Sequence, residues 1–208
     1  MPIAYPEILE LKTEAVPFSW SERDSMLYAL GVGMGQDPLD ANELPFVYEN
    51  NIKALPSLAT AVSFAPGPLA KVAINFALVV HGDQQAVFHK PFPASGQLTS
   101  DTRFANVWDR GPKGAVLQIE SVLKDAAGDK LATLTAGIFA RGDGGFGGSD
   151  QGIPEPHAVP DRRPDVSLDF ATRPEQALIY RLSGDRNPLH ADPGLAKAVG
   201  FPRPILHG

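Results

Sequence analysis

Asp185 and His190 stand five residues apart in the stretch SGDRNPLHAD, with Asn187 between them. A carboxylate and an imidazole form a general acid–base pair when they meet, because His exchanges a proton near neutral pH. On an α-helix a step of five residues turns by roughly 140°, so the two side chains would diverge. Pro188 drives Asn187 out of the helical region, and Gly184 permits a bend, which makes the segment a loop. In a loop an Asp and a His at this spacing can converge on one small volume, with Asn187 orienting either group or a water. The same residues also suit a capping turn, in which Asp and Asn bond nearby backbone and the His is half exposed. The residues alone leave both readings open.

Other chemistries have less support. The chain has no cysteine, which excludes disulfides, thiolate metal sites and a Cys nucleophile. No HExxH or similar spacing marks a zinc site, and no GxSxG marks a serine nucleophile. His81, His89 and His157 are scattered singly and read as surface or hydrogen-bonded residues. GVGMGQD looks like half of a dinucleotide-binding loop, but it follows a helix rather than a strand and reads as a helix stop. A formal net charge of −6 opposes a nucleic-acid footprint. The N-terminus lacks the basic start and apolar run of a signal peptide, and the run around INFALVV is far too short to span a membrane. With 208 residues and ordinary apolar content, the expectation is a soluble, intracellular, globular protein with a sizeable core.

The elements that must hold the loop follow from pattern. Ser21 and Asp24 have capping-box spacing at the start of a helix whose apolar stripe is Met26, Leu27 and Leu30. From Gln84 to Arg141 the signal is strand: QQAVFHKPF, QLTSDTRFANVWD, AVLQIESVLKD and KLATLTAGIFAR. In the third, Ala115, Leu117, Ile119, Ser121 and Leu123 share the drier face. The short loop DAAGD joins the last two strands as an antiparallel hairpin. This is an α+β plan, one antiparallel sheet with helical material ahead of it. The Gly-rich and then Pro-rich stretch after the last strand reads as a surface linker; no helix start comes after its glycines, as a phosphate cradle would need. Beyond it, Thr172, Glu175 and Pro174 predict the start of the helix RPEQALIYRL. Asp192 and Pro193 predict a short helix PGLAKAV, stopped at Gly200. This last unit has no run that could make a sheet and cannot bury a core alone.

The segment YRLSGDRNPLHADPGLAKAVGFPRPILHG resembles the signature of the R-specific enoyl-CoA hydratases of the MaoC type, or hydratase 2. YALGVGMG, PFVYEN, LVVHGDQ, HKPFPASGQL and GGFGG are similar to the N-terminal half of the two-domain members. The resemblance implies a hot-dog fold, an antiparallel sheet wrapped on a helix. It implies a complete non-catalytic hot dog over 1–145, a linker over 146–167 and the start of a catalytic hot dog over 168–208, so the chain is expected to be a truncated form, inactive alone. It implies hydration of trans-2-enoyl-CoA to (3R)-3-hydroxyacyl-CoA in fatty acid metabolism and β-oxidation, by a water held between Asp185 and His190. Asn187 would hold the loop, and the N–H of Gly208, eighteen residues after His190, would donate to the thioester oxygen. His81, Gly82 and Arg110 would contact substrate with Arg186, Pro188 and Leu189; Arg110 stands where Lys is usual in the family. The family needs no cofactor or metal. Its members suggest a homodimer in the full-length protein, cytoplasmic in bacteria and peroxisomal in eukaryotes. The alternatives are a related acyl-carrier-protein dehydratase and a non-catalytic acyl-CoA-binding or partner subunit.

Overall fold

Five antiparallel strands carry the molecule, and the computed structural model describes residues 3–155 and 158–208. The strands are β1 (Lys12–Trp20), β2 (Val79–Phe88), β3 (Gly96–Asp109), β4 (Ala115–Asp125) and β5 (Lys130–Ala140). They lie in the order β1-β3-β4-β5-β2, so β1 and β2 form the edges. The helices are α1 (Glu22–Gly31), α2 (Leu44–Val47), α3 (Leu58–Val62), α4 (Gln176–Tyr180) and α5 (Pro193–Ala198). Together the curved sheet and the helices on its inner face make a hot dog. Among the described residues no helix is long and apolar enough to cross a membrane.

The hairpin between β4 and β5 forms as its turn chemistry predicts. Asp125 N–H donates to the Asp129 carbonyl at 2.9 Å, and Gly128 takes a positive φ of 86°. Lys90 bridges both acids of the turn, at 2.8 Å to each. On β4, Leu117 and Leu123 are fully buried, as alternation requires.

β1 is an addition, because the strand signal in the sequence covers only Gln84 to Arg141. Pro17 and a bulge near Ala15 obscure its pattern, and the strand is tolerated because it is an edge. Its inward residues are Val16, Phe18 and Trp20. Trp20 stacks on Phe92 with centroids 5.0 Å apart and donates its indole N–H to the Pro93 carbonyl at 3.1 Å.

α1 begins at Ser21, whose N–H and Oγ both donate to the Asp24 carboxylate, at 2.8 and 2.7 Å. These bonds hold the Asp24 carboxyl below its ordinary range. The buried face of α1 is Ser25, Tyr28, Ala29 and Gly31, rather than the expected stripe, and Leu30 is exposed. Ser25 can face inward because its Oγ donates to the Ala94 carbonyl at 2.5 Å.

Two clusters divide the core. One gathers Trp20, Tyr28, Leu58, Leu98 and Leu123 under α1 and α3, with Tyr180 packed against it. The other gathers Ile3, Ile8, Phe104, Val107, Leu117 and Ala140, covered by the N-terminal turn and by Leu69, Val72 and Ile74. The Gly-rich stretch after β5 stays bonded to β3: Asp109 N–H donates to the Ser149 carbonyl at 3.1 Å and the Trp108 indole to Gln151 at 3.0 Å. Attachment to the sheet thus runs to Gln151, past the boundary expected at residue 145.

Candidate active site

α4 starts at Gln176, later than the Thr172–Glu175 spacing predicts. The Gln176 side chain accepts the Arg173 N–H at 3.1 Å, and Glu175 pairs with Arg173 instead of closing a box. A 3₁₀ turn over Arg181–Ser183 continues α4. Gly184 then takes φ 141°, which redirects the chain. α4 lies very close to α1: a Cβ on Gly31 would sit 2.9 Å from Tyr180 Cα.

The loop forms the local Asp and Asn turns, but its His is buried rather than half exposed. Asp185 Oδ1 accepts the Asn187 N–H at 3.0 Å, and Asn187 Oδ1 accepts the Leu189 N–H at 3.0 Å. These are local turns that stiffen the loop around Pro188. The other Asp185 oxygen, Oδ2, faces His190 Nε2 at 3.9 Å. That gap is too long for a direct hydrogen bond and suits one water touching both groups. Asp192 fixes the helix after the loop, capping α5 through Gly194 N–H at 2.7 Å and Leu195 N–H at 3.3 Å.

The chain then returns over the loop. Ile205 N–H donates to the Leu189 carbonyl at 3.4 Å. His190 is buried, and its Nδ1–H donates to the Ile205 carbonyl at 3.0 Å. A carbonyl can only accept, so Nδ1 carries a proton, and the neutral form of the ring would have its lone pair on Nε2, toward Asp185.

His207 completes the cluster, a residue the sequence reading used only as the neighbour of Gly208. Its ring stacks on His190 with centroids 3.7 Å apart and planes 26° apart. Its Nε2 lies 4.0 Å from Asp185 Oδ2 and 3.3 Å from the Asp185 backbone carbonyl, to which it donates. Tyr180 packs against the His207 ring, with centroids 4.6 Å apart and planes tilted by 48°. Burial pushes the His207 imidazole below its ordinary range, and the nearby His190 adds to the shift. The signal that could have found it is a His placed one short helix after the loop, at the end of a Pro-rich return. Asp185, His190 and His207 offer ligand atoms within 4.8 Å of one another. Stacked rings aim their in-plane lone pairs side by side, however, whereas tetrahedral ligation needs them to converge.

The remaining candidates are spread out. Arg186 and Pro188 are exposed beside the pair, and Leu189 is half-buried. Gly208 is exposed and borders a cavity of about 250 Å³ with Tyr28, Gln176, Tyr180 and His207. His81, Gly82 and Arg110 are not brought to the loop. Sheet register sets His81 opposite Ile138, which is in turn opposite Leu117, at the second-cluster end, while Tyr180 before the loop packs on the first cluster. Arg110 is exposed in the turn after β3 rather than within a strand. His81 Nε2–H donates to the Asp83 carbonyl at 2.8 Å across a bulge. Gly82 has a packing reason to be glycine, since a Cβ there would overlap the Phe139 ring. His89 bonds Thr133 Oγ1 at 3.0 Å on the surface, and His157 lies outside the described residues.

Comparison with known proteins agrees along the whole chain. Residues 18–142 match the MFE-2 hydratase 2 N-terminal domain, and residues 155–208 match the MaoC like domain. The chain is 39% identical to enoyl-CoA hydratase ChsH3 of Mycobacterium tuberculosis, over all of this chain and 74% of that one. It is 38% identical to the peroxisomal enoyl-CoA hydratase 2 of Arabidopsis thaliana, over 97% of this chain and 71% of that one. The crystal structure of a MaoC-like dehydratase from Phytophthora capsici superposes with a TM-score of 0.83 at 34% identity, covering 98% of this chain and 72% of the other.

Proposed function

Because the chain belongs to the MaoC-like hydratase 2 family of hydro-lyases, we propose that it hydrates trans-2-enoyl-CoA to (3R)-3-hydroxyacyl-CoA with Asp185 and His190. The observation that carries this reading is the 3.9 Å gap between Asp185 Oδ2 and a His190 Nε2 whose lone pair is set by Ile205. A water in that gap is held by both groups. As its oxygen bonds to C3 of the thioester, it gives up a proton to the pair, and C2 gains a proton on the same face. The net change is addition of H and OH across the double bond, and dehydration runs the same steps backwards. Asn187 keeps the loop in register through its bonds to Asp185 and Leu189.

Charge builds on the thioester oxygen as the enolate forms. The Gly208 N–H is the donor assigned to it; a donor of this kind is worth about 10²–10³ in rate. The half of the chain up to the Gly/Pro-rich stretch would serve as the non-catalytic hot dog. There His81, Gly82 and Arg110 would meet the CoA end, away from the reacting carbons. Arg110 suits an anionic group, since it makes no ion pair among the described residues.

The test is hydration by full-length protein carrying Asp185→Asn or His190→Ala, followed as loss of enoyl-thioester absorbance. Asn cannot take up a proton and Ala removes one anchor of the water, so each change should lower kcat by about 10²-fold or more. Turnover above a tenth of wild type in either variant, with folding intact, would refute the assignment.

A further inference from the structure

The distances alone do not choose between two bases. His190 Nε2 and His207 Nε2 lie 3.9 and 4.0 Å from the same Asp185 oxygen, on rings that stack face to face. Their hydrogen bonds separate them. His190 spends its Nδ1–H on the Ile205 carbonyl, which leaves Nε2 basic. His207 donates from Nε2 to the Asp185 carbonyl, so that nitrogen carries a proton and cannot accept another. Its remaining lone pair is on Nδ1, which is buried with no hydrogen-bond partner.

We infer that His207 is a positioning residue for this reaction: its N–H holds the Asp185 backbone and its ring backs His190, so that the two reacting groups keep a gap one water wide. The inference rests on the assignment of Asp185 and His190 proposed above. It accounts for several features together. An imidazolium at this place would bury a second N–H without an acceptor, beside His190 and near the Arg181 guanidinium, and burial and both neighbours disfavour it. A neutral His207 leaves the Asp185 carboxylate to His190 and the water. Tyr180, at the end of α4, also packs against the His207 ring, tilted by 48°. Asp185 and His190 stand at opposite ends of the turn around Pro188, and His207 touches both.

Two substitutions divide its contacts. His207→Phe keeps an aromatic plate on His190 and deletes the donor to Asp185. His207→Gln keeps a donor and deletes the ring. Positional slack of about 1 Å can cost as much as 10²-fold in rate. We expect His207→Phe to lower kcat by about tenfold or more, with KM within about twofold, and His207→Gln to recover at least about a third of wild-type kcat. In the full-length wild-type protein, ¹⁵N NMR should find His207 neutral as the Nε2–H tautomer and His190 as the Nδ1–H tautomer. A kcat above half of wild type in the Phe variant, equal losses in Phe and Gln variants that both fold, or an Nδ1–H tautomer at His207 overturns the inference. The tautomer measurement decides alone if a variant fails to fold. Asp185→Asn runs in parallel: turnover retained there sinks the site assignment itself, whereas turnover lost there and kept in His207→Phe sinks only the role of His207.

Discussion

Asp109 shows what one carboxylate does away from the candidate site. It is buried at the end of β3 and accepts N–H groups from Gly111 at 2.8 Å, Gly145 at 2.7 Å and Gly147 at 2.7 Å. The glycine-rich stretch does cradle an anion, and the anion is the protein's own side chain. Burial by itself would raise the Asp109 pKa; the backbone donors, Gly145 first, outweigh it and bring the pKa below the ordinary value. A depressed folded pKa contributes stability above the unfolded value of about 3.9, and that contribution is lost as pH falls through the folded value. Asp109→Asn should therefore cost about 1.5–3 kcal/mol at neutral pH in urea unfolding, with the gap from wild type closing on acidification below about pH 4. A gap that stays constant down to acid would show that the charge is not what holds the loop.

Among the elements, α4 packs on α1 and runs through a 3₁₀ turn into the loop. Gly31 ends α1 where α4 crosses it, and the atom nearest to an added Cβ is backbone, Tyr180 Cα at 2.9 Å. A flexible side chain could turn aside; a helix backbone must move as a unit. Gly31→Ala should push α4 outward and carry Tyr180 off the His207 ring. The expected cost is about 1–3 kcal/mol of stability, as for other overpacked sites, with kcat reduced severalfold. Thermal unfolding and steady-state hydration of the variant measure both. Unchanged kcat would mean that the loop does not depend on how α4 sits.

At the scale of the whole molecule, the two core clusters divide the labour. Leu58 is buried in the cluster that supports the loop, in a pocket lined also by Ser183 and Gly184. Leu117 is fully buried in the other cluster, beneath the N-terminal turn. Truncation of either to Ala should cost about 2–5 kcal/mol, through lost transfer energy and the cavity left behind. Leu58→Ala should also lower kcat, because Gly184 and the loop settle into the space. Leu117→Ala should leave kcat unchanged at temperatures where it is folded. Equal effects on kcat would show the core to be one mechanical unit.

Much of this was written in the local sequence. Alternation located β3, β4 and β5, since side chains of a half-buried strand must take turns facing the core. Ser21 with Asp24, Asp192 with Pro193, and the DAAGD turn act within a few residues and formed as read. The loop from Gly184 to His190 came from Gly and Pro backbone limits, which hold in any fold. Features that depend on distant partners were not legible. β1 exists because β3 offers an edge that tolerates Pro17, and the buried face of α1 includes Ser25 because the Ala94 carbonyl is there to receive it. The sheet register, not sequence spacing, separates His81 and Arg110 from the loop. Which nitrogen of His190 is basic was decided by the Ile205 carbonyl fifteen residues on, and the place of His207 by the fold that brings it back onto Asp185. Residue types and local spacing set which groups could exchange a proton. Only the tertiary structure, by supplying each imidazole with a carbonyl acceptor, decided which nitrogen of each ring is tied up in a hydrogen bond.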